Sequence, residues 1–230
     1  MVKMKQLILS GGGDAPDSKK LDTLLIDLLE NKPLLYIPVA WITGDFESCI
    51  RWFTQTFSAL GFSNFETWTD LTDKNYEQLD KFGGIYFGGG NTFLLLSKLR
   101  ESGFDKALYK FIESGRPVYG GSAGAIILGK DIATASIGKD ADSNDIGLEN
   151  LSGFGLLDTY SIQCHYEPDQ EDEMQKFVNE NNCKVIALPD KAGLYVKGDE
   201  IKVLGTEPAV VFCTNEEKRV YRPEMFFNLK

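Results

Sequence analysis

The sequence holds a single histidine, His165, among 230 residues. Any chemistry that needs an imidazole must use that side chain, and a metal centre built on several histidines is excluded. Cysteine is scarce as well: Cys49, Cys164, Cys183 and Cys213 stand far apart, with no C-x-x-C pair and no Cys/His cluster. That spacing excludes a zinc-ribbon site and argues against a disulfide framework, which leaves free thiols in a reduced, cytoplasmic protein. Basic residues are outnumbered, 24 Lys+Arg against 34 Asp+Glu, for a formal net charge of −10. A field of this sign repels phosphate backbones and anionic lipid, so neither a nucleic acid nor a membrane is expected as a partner. No apolar run approaches the ~18 residues of a membrane span, and residues 6–9 are too short for a signal-peptide core. What the chain does have is glycine, 23 residues against a usual share of about 7%, and much of it is clustered.

Short apolar runs alternate with helical spacings. Residues 5–9, 34–39, 64–68, 84–87 and 117–119 read as strands, and residues 18–30, 46–60, 92–100 and 104–113 carry apolar side chains at helical intervals. Strand, Gly-rich turn and helix in repeated succession predict βαβ units, hence an α/β fold with a doubly wound, mostly parallel sheet. Residues 136–155 form a polar excursion. Residues 160–165 return as a strand and 171–179 as a helix. The short runs at 184–188, 194–196, 201–204 and 209–212 read as antiparallel C-terminal edge strands. No linker, internal repeat or low-complexity tract interrupts the pattern, so one domain over residues 1–230 is expected.

In open parallel sheets ligands bind beyond the carboxyl ends of the strands, and three glycine clusters fall there: 11–13, 88–90 and 120–121. The last continues as Gly120-Gly121-Ser122-Ala123-Gly124, a G-x-S-x-G pattern between an apolar strand and a helix. That pattern describes a strained turn presenting a serine oxygen above the sheet, beside the backbone N–H groups that open the helix. A serine at neutral pH needs a base, and His165, at the end of a predicted strand, is the one imidazole that can serve. Cys164 precedes it and should face the other way, into the core. An acid to orient the imidazole has several candidates in the polar loop: Asp140, Asp142, Asp145 and Glu149. Gly88-Gly89-Gly90-Asn91 lacks the third glycine of a dinucleotide fingerprint and no Gly-Lys-Ser/Thr follows it. It reads better as an oxyanion loop, with the N–H of Gly89 or Gly90 paired with that of Ala123. The acidic run 167–173 reads as a solvated helix start, its charges complementing the helix dipole, with capture of a substrate amino group as the functional alternative.

Gly-Gly-Gly-Asn at 88–91, Gly-Gly-Ser-Ala-Gly-Ala at 120–125 and the lone His165, taken together, resemble the peptidase E family of serine peptidases, which includes aspartyl dipeptidases and, more distantly, cyanophycinases. The resemblance runs over nearly the whole chain. It implies a doubly wound fold related to class I glutamine amidotransferases, with Ser122 as nucleophile and His165 as base. The family's acid precedes its histidine within a Thr/Ser-Asn-Asp stretch. Ser143-Asn144-Asp145 matches that stretch best, so the resemblance points to Asp145, with Asp142 and Glu149 as alternatives. It further implies a small peptide substrate, Asp-X in the dipeptidase branch, no metal or organic cofactor, and a monomer or homodimer. Ordinary α/β-hydrolases share G-x-S-x-G but place the histidine much further along. Two other readings keep the same scaffold: a cyanophycinase-like isopeptide or amide hydrolase, and a non-catalytic small-molecule binder.

Overall fold

A computed structural model describes residues 4–230. In chain order the strands are β1 (Gln6–Ser10), β2 (Leu34–Ile37), β3 (Phe65–Thr67), β4 (Gly84–Phe87), β5 (Pro117–Gly121), β6 (Tyr160–Gln163), β7 (Lys184–Ala187), β8 (Ala192–Lys197), β9 (Glu200–Gly205), β10 (Ala209–Cys213), β11 (Arg219–Tyr221) and β12 (Phe226–Asn228). The helices are α1 (Ala15–Leu28), α2 (Phe46–Ala59), α3 (Tyr76–Leu79), α4 (Thr92–Glu101), α5 (Phe104–Glu113), α6 (Ala123–Ile126) and α7 (Glu171–Asn181).

An eight-stranded sheet runs in the order β12-β9-β8-β1-β5-β4-β2-β3. Strands β1 to β5 are mutually parallel, and β8, β9 and β12 add on antiparallel beside β1. Both faces are covered, so the central strands are apolar without alternation. In β1, Leu7 and Leu9 join the core beneath α4, α5 and α6, while Ile8 points to the opposite core with Leu21 and Leu25 of α1 and Phe53 and Phe57 of α2. Stacked aromatics fill that second layer: Tyr36 on Phe53, Phe53 on Phe57 and Tyr86 on Tyr119.

The expected doubly wound α/β sheet with antiparallel C-terminal strands is present. The C-terminal strands, however, divide between two sheets. Strands β6, β7, β10 and β11 form a separate four-stranded sheet in the order β11-β10-β7-β6, packed on α7. Within it β6 and β7 are parallel, with Gln163 opposite Ala187, and α7 is their crossover. The chain therefore leaves both strands at the same edge, and that edge faces the turns after β1 and β5. Among the described residues no helix is long and apolar enough to cross a membrane.

Candidate active site

Ser122 follows β5 directly. Its backbone is held at φ 49°, ψ −111°, a left-handed conformation that a residue with a side chain adopts at a cost of ~1–3 kcal/mol. The turn closes tightly enough that a Cβ on Gly120 would stand 2.3 Å from the carbonyl oxygen of Gly124, which is why the sequence has glycine there. The Ser122 N–H donates to the Ser10 carbonyl at 3.1 Å, tying the turn to the end of β1. Its own carbonyl accepts from the N–H groups of Ala125 and Ile126, which starts α6.

His165 lies two residues beyond β6, also at positive φ (54°), with its N–H donating to the Gly11 carbonyl at 2.9 Å. Its Nε2 is 2.7 Å from Ser122 Oγ. Its Nδ1 is 2.7 Å from Asp190 Oδ1. A carboxylate can only accept, so the proton sits on Nδ1 and leaves the Nε2 lone pair to accept from the serine hydroxyl. Asp190 reaches this position from the turn after β7, three residues past the Gln163–Ala187 pair that aligns β6 with β7.

The structure thus brings Ser122 and His165 together, and the carboxylate on the imidazole is Asp190. Asp145 is not there: it is exposed, and its Oδ2 accepts from Ser143 Oγ at 2.7 Å. Asp142 serves another purpose, its Oδ2 accepting the Thr92 N–H at 2.8 Å at the start of α4. Asn91 completes that clasp, capping α4 through the Leu94 N–H and donating from Nδ2 to the Ser143 carbonyl. Glu149 is exposed on the same loop. The polar excursion is therefore bound over the start of α4 rather than over the histidine.

Gly89 sits beside Ser122, where an added Cβ would stand 3.4 Å from Ser122 Cβ. Gly90 is pressed against the Ala40 carbonyl and lines the space next to Ser122. Among the described residues, the N–H groups of Gly89, Gly90 and Ala123 are not engaged in any hydrogen bond. Cys164 is buried in the core as expected, with its Sγ near the Ser10 and Ser122 carbonyls; burial pushes its thiol far above the usual range. The acidic run opens α7, with Glu171, Asp172 and Glu173 in the first turn, while Glu167 pairs with Lys139.

Two features escaped the sequence. One is Asp190, whose signal was an acid directly after an apolar strand and a proline. The other is the role of Gly12 within the 11–13 cluster: it stands at φ 137°, where a Cβ would lie 2.3 Å from His165 Cε1 and 2.7 Å from Asp190 Oδ1. Glycine is required there because the backbone passes against the imidazole–carboxylate pair.

Two cavities open on Ser122 and His165. One, of about 410 Å³, lies on the Asn91 side between Ile126, Ile137 and Gln163. The other, of about 510 Å³, lies on the Gly12 side and is walled by Tyr36, Trp41, Trp52 and Tyr86. Neither is lined by a lysine or an arginine.

Residues 6–204 match the profile of Peptidase family S51. The chain is 25% identical over 236 residues to a Peptidase E of Actinobacillus pleuropneumoniae, an alignment covering 94% of this chain and 95% of that one. It is 28% identical over 155 residues to the Peptidase E of Pasteurella multocida, over 62% of this chain and 63% of the relative. Its fold superposes on the crystal structure of a peptidase from an acI-B1 Actinobacterium with a TM-score of 0.77 at 18% identity, covering 99% of this chain and 98% of the other.

Proposed function

The chain belongs to peptidase family S51 and is a serine peptidase, and from that premise we propose that it cleaves the amide bond of short peptides through an acyl-enzyme on Ser122. Asp190 holds the Nδ1–H of His165, which keeps Nε2 basic and aimed at Ser122 Oγ. As Oγ attacks the scissile carbonyl its proton passes to Nε2. The developing oxyanion accepts from the N–H of Ala123 and from that of Gly89 or Gly90, groups that no hydrogen bond occupies. The imidazolium then gives its proton to the departing amine. Water, deprotonated by His165, releases the acid product and restores the serine.

The observation that carries this reading is the pair of 2.7 Å contacts joining Ser122, His165 and Asp190. An Asp-X preference would leave the substrate carboxylate without a cationic partner among the residues lining either cavity, so neutral or basic peptides suit the site better. The test is a panel of dipeptides with acidic, neutral and basic first residues, and a β-aspartyl member, read by mass spectrometry for wild type and Ser122→Ala. Removing the nucleophile should cost on the order of 10⁴ to 10⁶ in kcat. A loss under about tenfold would show that the serine does not form the acyl-enzyme.

A further inference from the structure

The cavity on the Gly12 side carries four aromatic residues that the acyl-enzyme mechanism does not use. Tyr36 and Tyr86 are only 2% and 4% exposed, and one face of each ring is stacked in the core, on Phe53 and Tyr119 respectively. Their hydroxyls reach the edge of the sheet where the cavity lies. That of Tyr86 is 3.4 Å from where a Cβ on Gly121 would stand, and that of Tyr36 is 3.2 Å from where one on Gly88 would stand. Among the described residues neither hydroxyl makes a hydrogen bond, and unlike the Tyr119 hydroxyl above which they pack, neither is sealed from solvent. Burial pushes both phenols above their usual range, so each keeps its proton and can donate as well as accept. Polar groups this deep are seldom left unpaired.

Trp41 and Trp52 wall the same cavity and are 41% and 38% exposed, large apolar surfaces left in water beside the reacting atoms. Besides these four aromatics, Ser122 and His165, the lining is glycine, three further serines and Cys49, with no carboxylate, lysine or arginine among the described residues. Acids adjoin it from behind. Asp17 Oδ2 is 2.9 Å from where a Cβ on Gly13 would stand, Asp45 Oδ1 accepts the Ser48 N–H, and Asp190 borders Gly12. A carboxylate on the substrate would be repelled there, and a cation would find no ion-pair partner in the lining. The volume of about 510 Å³ falls in the usual range for small-molecule sites. Aromatic walls, an uncharged lining and two free phenols describe the complement of a ring with a hydrogen-bonding tip.

We propose that the Gly12-side cavity holds a tyrosine side chain of the peptide substrate, its ring against Trp41 and Trp52 and its hydroxyl against those of Tyr36 and Tyr86. The residue that supplies this side chain adjoins the scissile bond on its acyl or its amine side. The inference rests on the acyl-enzyme reading of Ser122 and gives that reading a substrate class.

Six dipeptides test it: Tyr-Ala, Phe-Ala, Asp-Ala, Ala-Ala, Ala-Tyr and Ala-Phe. Each is offered to wild type, to Trp52→Ala and to the double variant Tyr36→Phe/Tyr86→Phe, and a fluorophosphonate label reports the reactivity of Ser122 separately. The better of Tyr-Ala and Ala-Tyr identifies the side of the scissile bond that the pocket serves. On that side the phenylalanine peptide should exceed Ala-Ala in kcat/KM at least about 30-fold, since each buried methylene is worth about fourfold. The tyrosine peptide should exceed the phenylalanine one by about a further fivefold, the scale of one hydrogen bond. Trp52→Ala should compress the tyrosine-to-alanine ratio by about tenfold. The double variant should abolish the preference for tyrosine over phenylalanine and keep that for phenylalanine over alanine. Cleavage of Ala-Ala or Asp-Ala as efficient as that of the better tyrosine peptide would overturn the pocket. So would equal cleavage of the tyrosine and phenylalanine peptides by wild type, a tyrosine preference that survives the double variant, or cleavage of none of the six by protein whose Ser122 takes the label. Failure of Ser122 to label would instead overturn the peptidase mechanism beneath it.

Discussion

Replacing Asp190 by asparagine removes a charge 2.7 Å from His165 Nδ1 and changes almost nothing in volume. When His165 takes the serine proton it becomes an imidazolium, and the carboxylate stabilises that charge. Two unit charges about 4 Å apart attract by ~1 kcal/mol in water and ~4 kcal/mol at an effective dielectric of 20. The His165 side chain is 32% exposed and that of Asp190 51%, so solvent screens the pair and the upper figure is a ceiling. About 2–4 kcal/mol corresponds to a loss of roughly 30-fold to 10³-fold in kcat, below the ~10⁴ found where a triad aspartate is fully buried. An asparagine that turns its Nδ2 toward Nδ1 would also move the imidazole proton to Nε2, the wrong tautomer for accepting from Ser122. The assay is kcat/KM on the best dipeptide, with Asp145→Asn beside it and thermal unfolding of both variants to confirm folding. Asp145 touches Ser143 at the surface, and its variant should stay within about twofold of wild type, as surface changes usually do. A loss under about threefold for Asp190→Asn, or a larger loss for Asp145→Asn, would refute the assignment of the acid.

Two more predictions follow from the surroundings of the site. Gly12→Ala places a methyl 2.5 Å from His165 Nδ1 at a backbone φ of 137°, so the imidazole must move; kcat should fall at least ~100-fold, and a variant with near-normal turnover would show that the imidazole–carboxylate geometry is not critical. Asp22, on α1 one turn past the cavity-lining Ser18, is 1% exposed, accepts from Ser18 Oγ at 2.7 Å and has an unpartnered Oδ1. Burial pushes its carboxyl up to about 6, opposed by its hydrogen bond from Ser18. The folded protein therefore holds this proton more tightly than the unfolded chain. The associated stability is fully present below the unfolded value near 4 and is lost as pH rises through about 6, by up to ~3 kcal/mol. Asp22→Asn, neutral at every pH, should be more stable than wild type at pH 8 by urea unfolding and should lose that advantage by pH 4. A variant less stable than wild type at pH 8 would show that the carboxylate is not the strained form.

The parts of the site that sequence discloses are those encoded over a few consecutive residues. The G-x-S-x-G turn carries its own steric requirement, visible at Gly120, and therefore its own signature. The helix over residues 104–113 was legible to the residue, because its apolar spacing and the glycine before it are local as well. His165 was identifiable by elimination, as the only imidazole in the chain. The acid was not, because no local rule connects residue 190 to residue 165. That connection is made by the parallel pairing of β6 with β7 across α7, which sets Gln163 opposite Ala187 and sends both chain ends to one edge. Read as a plain antiparallel edge, the same strand would send its last residues to the far side of the sheet, and the loop ahead of the histidine becomes the natural place to seek a carboxylate. That loop is rich in aspartate for a different reason: Asp142 closes the start of α4 and Asn91 reaches back to Ser143, a clasp that walls the Asn91-side cavity. Ser122 and His165 are thus written in the sequence, whereas the carboxylate at His165 arises from strand register. A register change between β6 and β7 would therefore disable the site while leaving every motif intact.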